Sequence, residues 1–319
     1  MRRRQLVSLV AALGAGCDAL GSRDGVGVVA SGAARGTTTI APDATPWREL
    51  GFAASGAAAG EAAGEQHALV RGASSDAPLL IALHGAGEAA RGLVTGARGW
   101  RDDYALDRAE RRLRTPPLTE GDFEGFVTTD RVAALNSALA ARAYRGLSVA
   151  CPYTPRLRTL EAAAPFARFL FDRLLPRATT ELGLAPASLG IDGVSMGGRL
   201  ALLVGLSHPE RFAAVGALQP ALTEDEAPKF AELAVRATAK KKLALRLVSS
   251  SEDPFLAAIR ALDVELTKRG VAHDLYVSPG PHDYAWNRGP GSIEMLLWHD
   301  RVLRGESGHD VARVPPSPG

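Results

Sequence analysis

The sequence predicts one large α/β domain, a mostly parallel β-sheet with helices on both faces. Two observations predict it. Short apolar runs alternate with longer stretches of helical period, the pattern of strands buried on both faces and joined by crossover helices. The 319 residues are 46% hydrophobic, enough for a sizeable core.

Composition narrows the partners. With 37 Lys+Arg against 35 Asp+Glu the formal charge is +2, which supplies no basic stripe for a phosphate backbone, so nucleic acid is not an expected partner. No run approaches the ~20 apolar residues of a membrane-spanning helix, which excludes a multispan protein. Cys17 and Cys151 are too few for a disulfide framework or a Cys-based zinc site.

In chain order, residues 1–17 read as an export signal: Arg2, Arg3 and Arg4, then an apolar stretch from Leu6 to Gly16. Arg3, Arg4, Gln5, Leu6 and Val7 fit a twin-arginine pattern as well as ordinary export. Cys17 directly after Gly14, Ala15 and Gly16 resembles a lipoprotein signal with Cys17 as the lipidated residue. Cleavage around Ala30–Ala33 without a lipid is the alternative. The expected location is exported: periplasmic, attached to the envelope through Cys17, or secreted. Residues 18–46, rich in Gly, Ala, Ser and Thr, read as a flexible tether, with a possible first strand at Thr37–Ile40.

The domain is expected over 47–305 and a disordered tail over 306–319. Strands are predicted at His67–Arg71, Leu79–His84, Leu147–Cys151, Leu189–Gly193, Ala213–Leu218, Leu243–Ser249 and His273–Ser278. Helices are predicted at Asp103–Arg114, Asp130–Ala141, Leu160–Leu182 (kinked or split by Pro176), Met196–Ser207, Pro254–Arg269 and Ser292–Arg304. The long connection over about 97–145 is expected to hold one sheet-covering helix and an inserted cap.

The chemistry concentrates at Gly193, Val194, Ser195, Met196 and Gly197, a G-x-S-x-G string that leaves a predicted strand and opens an apolar helix. A sharp turn there exposes the Ser195 hydroxyl. Gly193 and Gly197 are needed because a Cβ at either would collide with a neighbouring element. A serine hydroxyl needs a base, and the base an orienting acid. After a nucleophile elbow the acid and then the histidine follow along the chain. His282, after Pro279-Gly280-Pro281 and the last predicted strand, is the candidate base, and Asp253 the candidate acid with Glu252 as fallback. Asp192 sits at the strand end before the elbow and is rejected as the acid.

The developing oxyanion needs preorganised donors. Met196 N–H is one. The other is expected from the turn His84-Gly85-Ala86-Gly87-Glu88, with Ala86 the choice and Gly87 the next. His84, Gly85 and Gly87 are read as loop support.

These residues resemble the esterase family of α/β-hydrolases that includes esterase D, feruloyl esterases, polyhydroxybutyrate depolymerase-like enzymes and mycolyltransferases. The resemblance runs over roughly His67–Arg304. It is carried by Leu83–Gly87, the elbow through Phe212, Asp253-Pro254-Phe255-Leu256 and Pro279–Tyr284. It implies an α/β-hydrolase fold with a helical insert after the oxyanion-loop strand, and a Ser195-Asp253-His282 triad. It further implies hydrolysis of a small-molecule, lipid or polymer ester through an acyl-serine, with neither cofactor nor metal. Acyl transfer to a sugar or lipid alcohol, and a non-catalytic exported binding lipoprotein, are the competing readings. The chain departs from the family at Ser250, where relatives often have Gly, and over Trp100–Tyr144, which the resemblance does not cover.

Overall fold

The computed structural model describes residues 46–54, 64–308 and 311. Cys17, the signal, the possible strand at Thr37–Ile40 and nearly all of the expected tether lie outside them.

Eight strands form one sheet: β1 Arg48–Phe52, β2 Gln66–Arg71, β3 Leu79–Leu83, β4 Ser148–Pro152, β5 Leu189–Gly193, β6 Ala214–Leu218, β7 Ala244–Ser250 and β8 Asp274–Ser278. Their order is β1-β2-β4-β3-β5-β6-β7-β8. β2 pairs antiparallel with both neighbours and every other pairing is parallel. Strands β3, β4 and β6 are buried along their whole length, so they read as continuous apolar runs rather than alternating ones. β1 escaped the sequence reading because only Leu50 and Phe52 of its five residues are buried. An edge strand with one dry face offers no continuous apolar run to read.

One face carries the helices Leu160–Arg168, Leu175–Leu182, Met196–Ser207, Ala227–Lys240 and Leu256–Lys268. The break expected at Pro176 falls earlier, in a π-helical turn over Phe169–Leu174. Pro176 sits in the first turn of the following helix, where its missing N–H costs nothing. The helix Ala227–Lys240 has no counterpart among the predicted helices. Its polar residues Lys229, Glu232, Arg236, Thr238 and Lys240 dilute the apolar period that Phe230, Leu233, Ala234 and Ala237 make.

The other face is covered by Leu106–Arg114, Thr129–Ala141 and Ser292–Val302. Leu106, Leu113, Leu135 and Leu139 join the same buried cluster as Leu80, Ala82, Val149 and Leu296. Both long helices of the 97–145 segment therefore cover the sheet, and the expectation of one covering helix plus a cap is corrected. In the loop between them, Phe123 and Phe126 lie where Cβ atoms on Gly289 and Gly280 would clash with them.

Two points near the expected tail are held. Glu306 pairs with Arg142 and Arg145, and the Val311 carbonyl accepts from Arg131 and from Arg246. The two guanidinium groups also share Glu294, and all three side chains are buried.

The carboxyl ends of five neighbouring strands deliver the site. The segment His84–Gly87 follows β3, Ser195 follows β5, Gln219 follows β6, Asp253 follows β7 and His282 follows β8. Ligands bind at this edge in open α/β sheets.

Candidate active site

Ser195 stands between β5 and the helix Met196–Ser207 with φ 56° and ψ −116°. A non-glycine residue there costs on the order of 1–3 kcal/mol, so the surroundings must impose it. They do so through the backbone: Val194 N–H donates to Leu83 O (3.1 Å), Ser195 N–H to Leu218 O (2.9 Å) and Gly197 N–H to Val194 O (2.8 Å). A Cβ on Gly193 would stand 2.6 Å from Gly197 backbone, and one on Gly197 would overlap the carbonyl oxygens of Leu83 and His84. Gly198 is equally tight, 2.9 Å from Gly193 O and 3.0 Å from Leu218 O. The expected need for small residues thus extends one position beyond the motif.

The acid and base meet. His282 Nδ1–H donates to Asp253 Oδ1 at 3.0 Å, and the Asp253 side chain is fully buried while His282 keeps about a fifth of its side chain exposed. Asp253 is fixed by Ser249 Oγ–H on Oδ2 (2.7 Å) and by Phe255 N–H on Oδ1 (3.0 Å). It caps the following turn as well as pairing with His282. A ring contact with Phe255, centroids 5.4 Å apart and nearly perpendicular, packs against His282.

The histidine loop has a second brace that the sequence did not disclose. Ser250 Oγ–H donates to Pro281 O (3.0 Å), and Gln219 Nε2–H donates to both Ser250 Oγ (2.6 Å) and Pro281 O (3.0 Å). Gln219 is fully buried at φ 43°. The serine that departs from the family pattern therefore ties β7 to the residue before His282.

Ala86 and Met196 each open a helix, Ala86–Ala89 and Met196–Ser207. First-turn N–H groups have no carbonyl partner within their own helix and serve as donors to an anion. Both residues adjoin Ser195: a Cβ on Gly85, the residue before Ala86, would come 3.8 Å from Ser195 Cβ. Gly85, Ala86, Gly87, Ser195 and His282 line one cleft of about 270 Å³.

His84 is a brace. Its Nε2 accepts from Thr154 N–H (2.8 Å), so Nδ1 carries the proton and donates to Gly85 O (2.9 Å), while His84 N–H donates to Thr154 Oγ1 (3.0 Å). Burial pushes its pKa down to about 4, which keeps the ring neutral across the physiological range.

Glu88, noted in the sequence only as the end of the glycine turn, lies in the cleft wall and is 1% exposed. Its Oε2 accepts a short hydrogen bond from the Tyr104 hydroxyl, and the Tyr284 hydroxyl interacts with the same carboxylate. Burial and then this carboxylate push the Tyr104 phenol well above its ordinary range and that of Tyr284 up to about 12. No local signal could have joined Glu88 to Tyr104 and Tyr284, which come from three separate connections. Other side residues resolve simply. Trp286 is buried and donates to Ser278 Oγ (2.6 Å), Cys151 is buried with its thiol pKa raised by burial, and Lys240 ends a helix. Glu252, the fallback acid, is exposed, while the buried Asp253 holds the contact with His282.

Comparison with known proteins follows the same map. A family model described as "Putative esterase" matches residues 159–288, the stretch holding Ser195, Asp253 and His282. Over that stretch the chain is similar to a family of esterases. No curated protein sequence matches this chain. Solved structures do. An S-formylglutathione hydrolase from Staphylococcus aureus is 13% identical, with TM-score 0.57 over 80% of this chain and 99% of that one. A ferulic acid esterase is 14% identical, with TM-score 0.54 over 81% and 99%. The enterobactin esterase from Shigella flexneri is 14% identical, with TM-score 0.51 over 80% of this chain and 61% of that one. At such identities the likeness establishes the α/β-hydrolase fold, and activity and substrate have to be argued from this chain's own cleft.

Proposed function

We propose that this protein is a carboxylic ester hydrolase that works through an acyl-Ser195 intermediate with His282 as base and Asp253 as its orienting acid. The observation that carries the reading is the Asp253–His282 hydrogen bond at 3.0 Å beside a serine held at φ 56° in the same cleft. His282 Nε2 takes the hydroxyl proton as Ser195 Oγ attacks the ester carbonyl carbon, and the carbonyl oxygen becomes an oxyanion facing the N–H groups of Ala86 and Met196. Asp253 holds the imidazole with Nδ1–H toward itself and offsets the charge the ring gains. Collapse breaks the bond to the alcohol oxygen, which leaves with the proton from His282. Water then loses a proton to His282 as it attacks the acyl carbon, and His282 returns that proton to Ser195 Oγ as the acyl bond breaks and the acid leaves.

The test is hydrolysis of a small neutral ester by wild type, Ser195→Ala and Asp253→Asn. Ser195→Ala is expected to lose about 10³-fold or more in kcat, with Asp253→Asn also strongly impaired. Turnover that survives Ser195→Ala would place the chemistry elsewhere. Export and lipid attachment at Cys17 are proposed on the Arg2–Cys17 sequence, and the intact mass of the mature amino terminus tests both.

A further inference from the structure

The wall of the cleft opposite the elbow is polar, and part of it lacks partners. Glu88 Oε1 is buried without a hydrogen-bond partner, and so is Asn287 Oδ1; both residues line the cleft with Ser195 and His282. The nearest cation to Glu88 Oε1 is Arg91, 3.6 Å away and itself paired with Asp103. One of the two Asn287 amide N–H groups donates to Asp283 O (2.8 Å), while its Oδ1 has no partner. At the mouth, Asp283 and Tyr284 are exposed, and Asp283 caps Trp286 N–H through Oδ1 (2.8 Å).

The wall is close to the reacting atoms. The point where a Gly85 Cβ would stand is 3.1 Å from Glu88 Oε2, 3.1 Å from the Tyr104 hydroxyl and 3.8 Å from Ser195 Cβ. Glycine at 85 keeps that space open between the carboxylate and the nucleophile. The side chains lining the cleft include two carboxylates, Glu88 and Asp283, and no Lys or Arg. An unsatisfied buried acceptor regains its lost interaction when a ligand supplies a donor, and a site with such acceptors discriminates strongly against ligands lacking one.

We infer that this cleft selects esters that carry a hydrogen-bond donor, a hydroxyl or an ammonium group, within a few atoms of the scissile carbonyl, and that it disfavours anionic ones. The inference rests on the serine-esterase reading above and adds the substrate class. Glu88 and Asn287 are the acceptors, and Asp283 supplies the charge that separates cation from anion.

Four ethyl esters with three-carbon acyl groups test it: ethyl propionate, ethyl 3-hydroxypropanoate, ethyl β-alaninate and monoethyl malonate. Their hydrolysis is followed by pH-stat near pH 7 with wild type, Glu88→Gln, Asp283→Asn and Ser195→Ala. The wild type is expected to give kcat/KM for the hydroxyl and ammonium esters about 10-fold above propionate, with malonate lowest. Asp283→Asn keeps the cap, since Asn caps as well as Asp, and is expected to narrow the ratio of β-alaninate to malonate by roughly 3- to 10-fold. Glu88→Gln is expected to lower the donor-to-propionate ratio. If it does not fold, the wild-type ratios and Asp283→Asn still decide. Propionate or malonate turned over as well as the donor esters by a Ser195-dependent enzyme would overturn this inference alone. Turnover that persists in Ser195→Ala would overturn the serine reading and this inference with it.

Discussion

His84 offers a prediction whose size follows from its surroundings. The ring is fully buried, and its two nitrogens are committed to Thr154 N–H and Gly85 O. Burial lowers its pKa from 6.5 to about 4. Between those values the unfolded chain binds a proton that the folded one refuses, so unfolding becomes easier as pH falls from about 6.5. The loss levels off below about 4, where both states are protonated. From the two pKa values the contribution is near zero at pH 7, about 2 kcal/mol lost at pH 5 and about 3 kcal/mol lost at pH 4. Carboxylates titrate in the lower part of that window, so the assay is a difference. Urea unfolding of wild type and His84→Gln is measured from pH 7 to pH 4.5, where Gln has no titrating group. The variant is expected to be weaker at pH 7 because one or both ring contacts are lost. The gap should shrink by about 2 kcal/mol by pH 5. A gap that stays constant, or that widens on acidification, would refute the buried neutral assignment of His84.

Three further outcomes follow. Ser250→Ala removes a donor to Pro281 O and an acceptor for Gln219 Nε2; kcat is expected to fall with KM little changed, stability to drop by about 1–2 kcal/mol, and Ser250→Thr to restore part of kcat. Steady-state kinetics with urea unfolding check this. Gly197→Ala puts a Cβ into the Leu83 and His84 carbonyls, so turnover per folded molecule is expected to fall ~100-fold or more through displacement of the elbow, with circular dichroism reporting whether the fold survives. Glu294→Leu strands the buried Arg131 and Arg246 guanidinium groups, and urea unfolding should show a loss of about 3–5 kcal/mol.

The legible parts of the sequence were those where one local pattern meets one physical need. The elbow could be read because a strand, a tight glycine turn and an apolar helix are contiguous from Leu189 to Ser207. His282 and Asp253 could be read because each lies just past a strand end in the required chain order. Strand centres were clear for the same reason, while β1 was lost because an edge strand buries only alternate residues. What could not be read was built by meetings across the sheet edge. Gln219 has no motif, and its role appears only where β6, β7 and the histidine loop converge on Pro281. Ser250 read as a departure from the family and is a tie to the histidine loop. Glu88 read as the end of a glycine turn until Tyr104 and Tyr284 arrived from distant segments. The 97–145 segment read as a partial cap because helical period says nothing about which face of a sheet a helix will cover.

The central claim is that Ser195 is the nucleophile activated by His282. The most direct measurement is labelling of the folded protein with a fluorophosphonate, followed by peptide mass mapping, alongside His282→Gln and a denatured control. The account predicts a single adduct on Ser195, lost on denaturation and strongly slowed in His282→Gln. An adduct on another residue, or labelling of Ser195 at the same rate without His282, would contradict it.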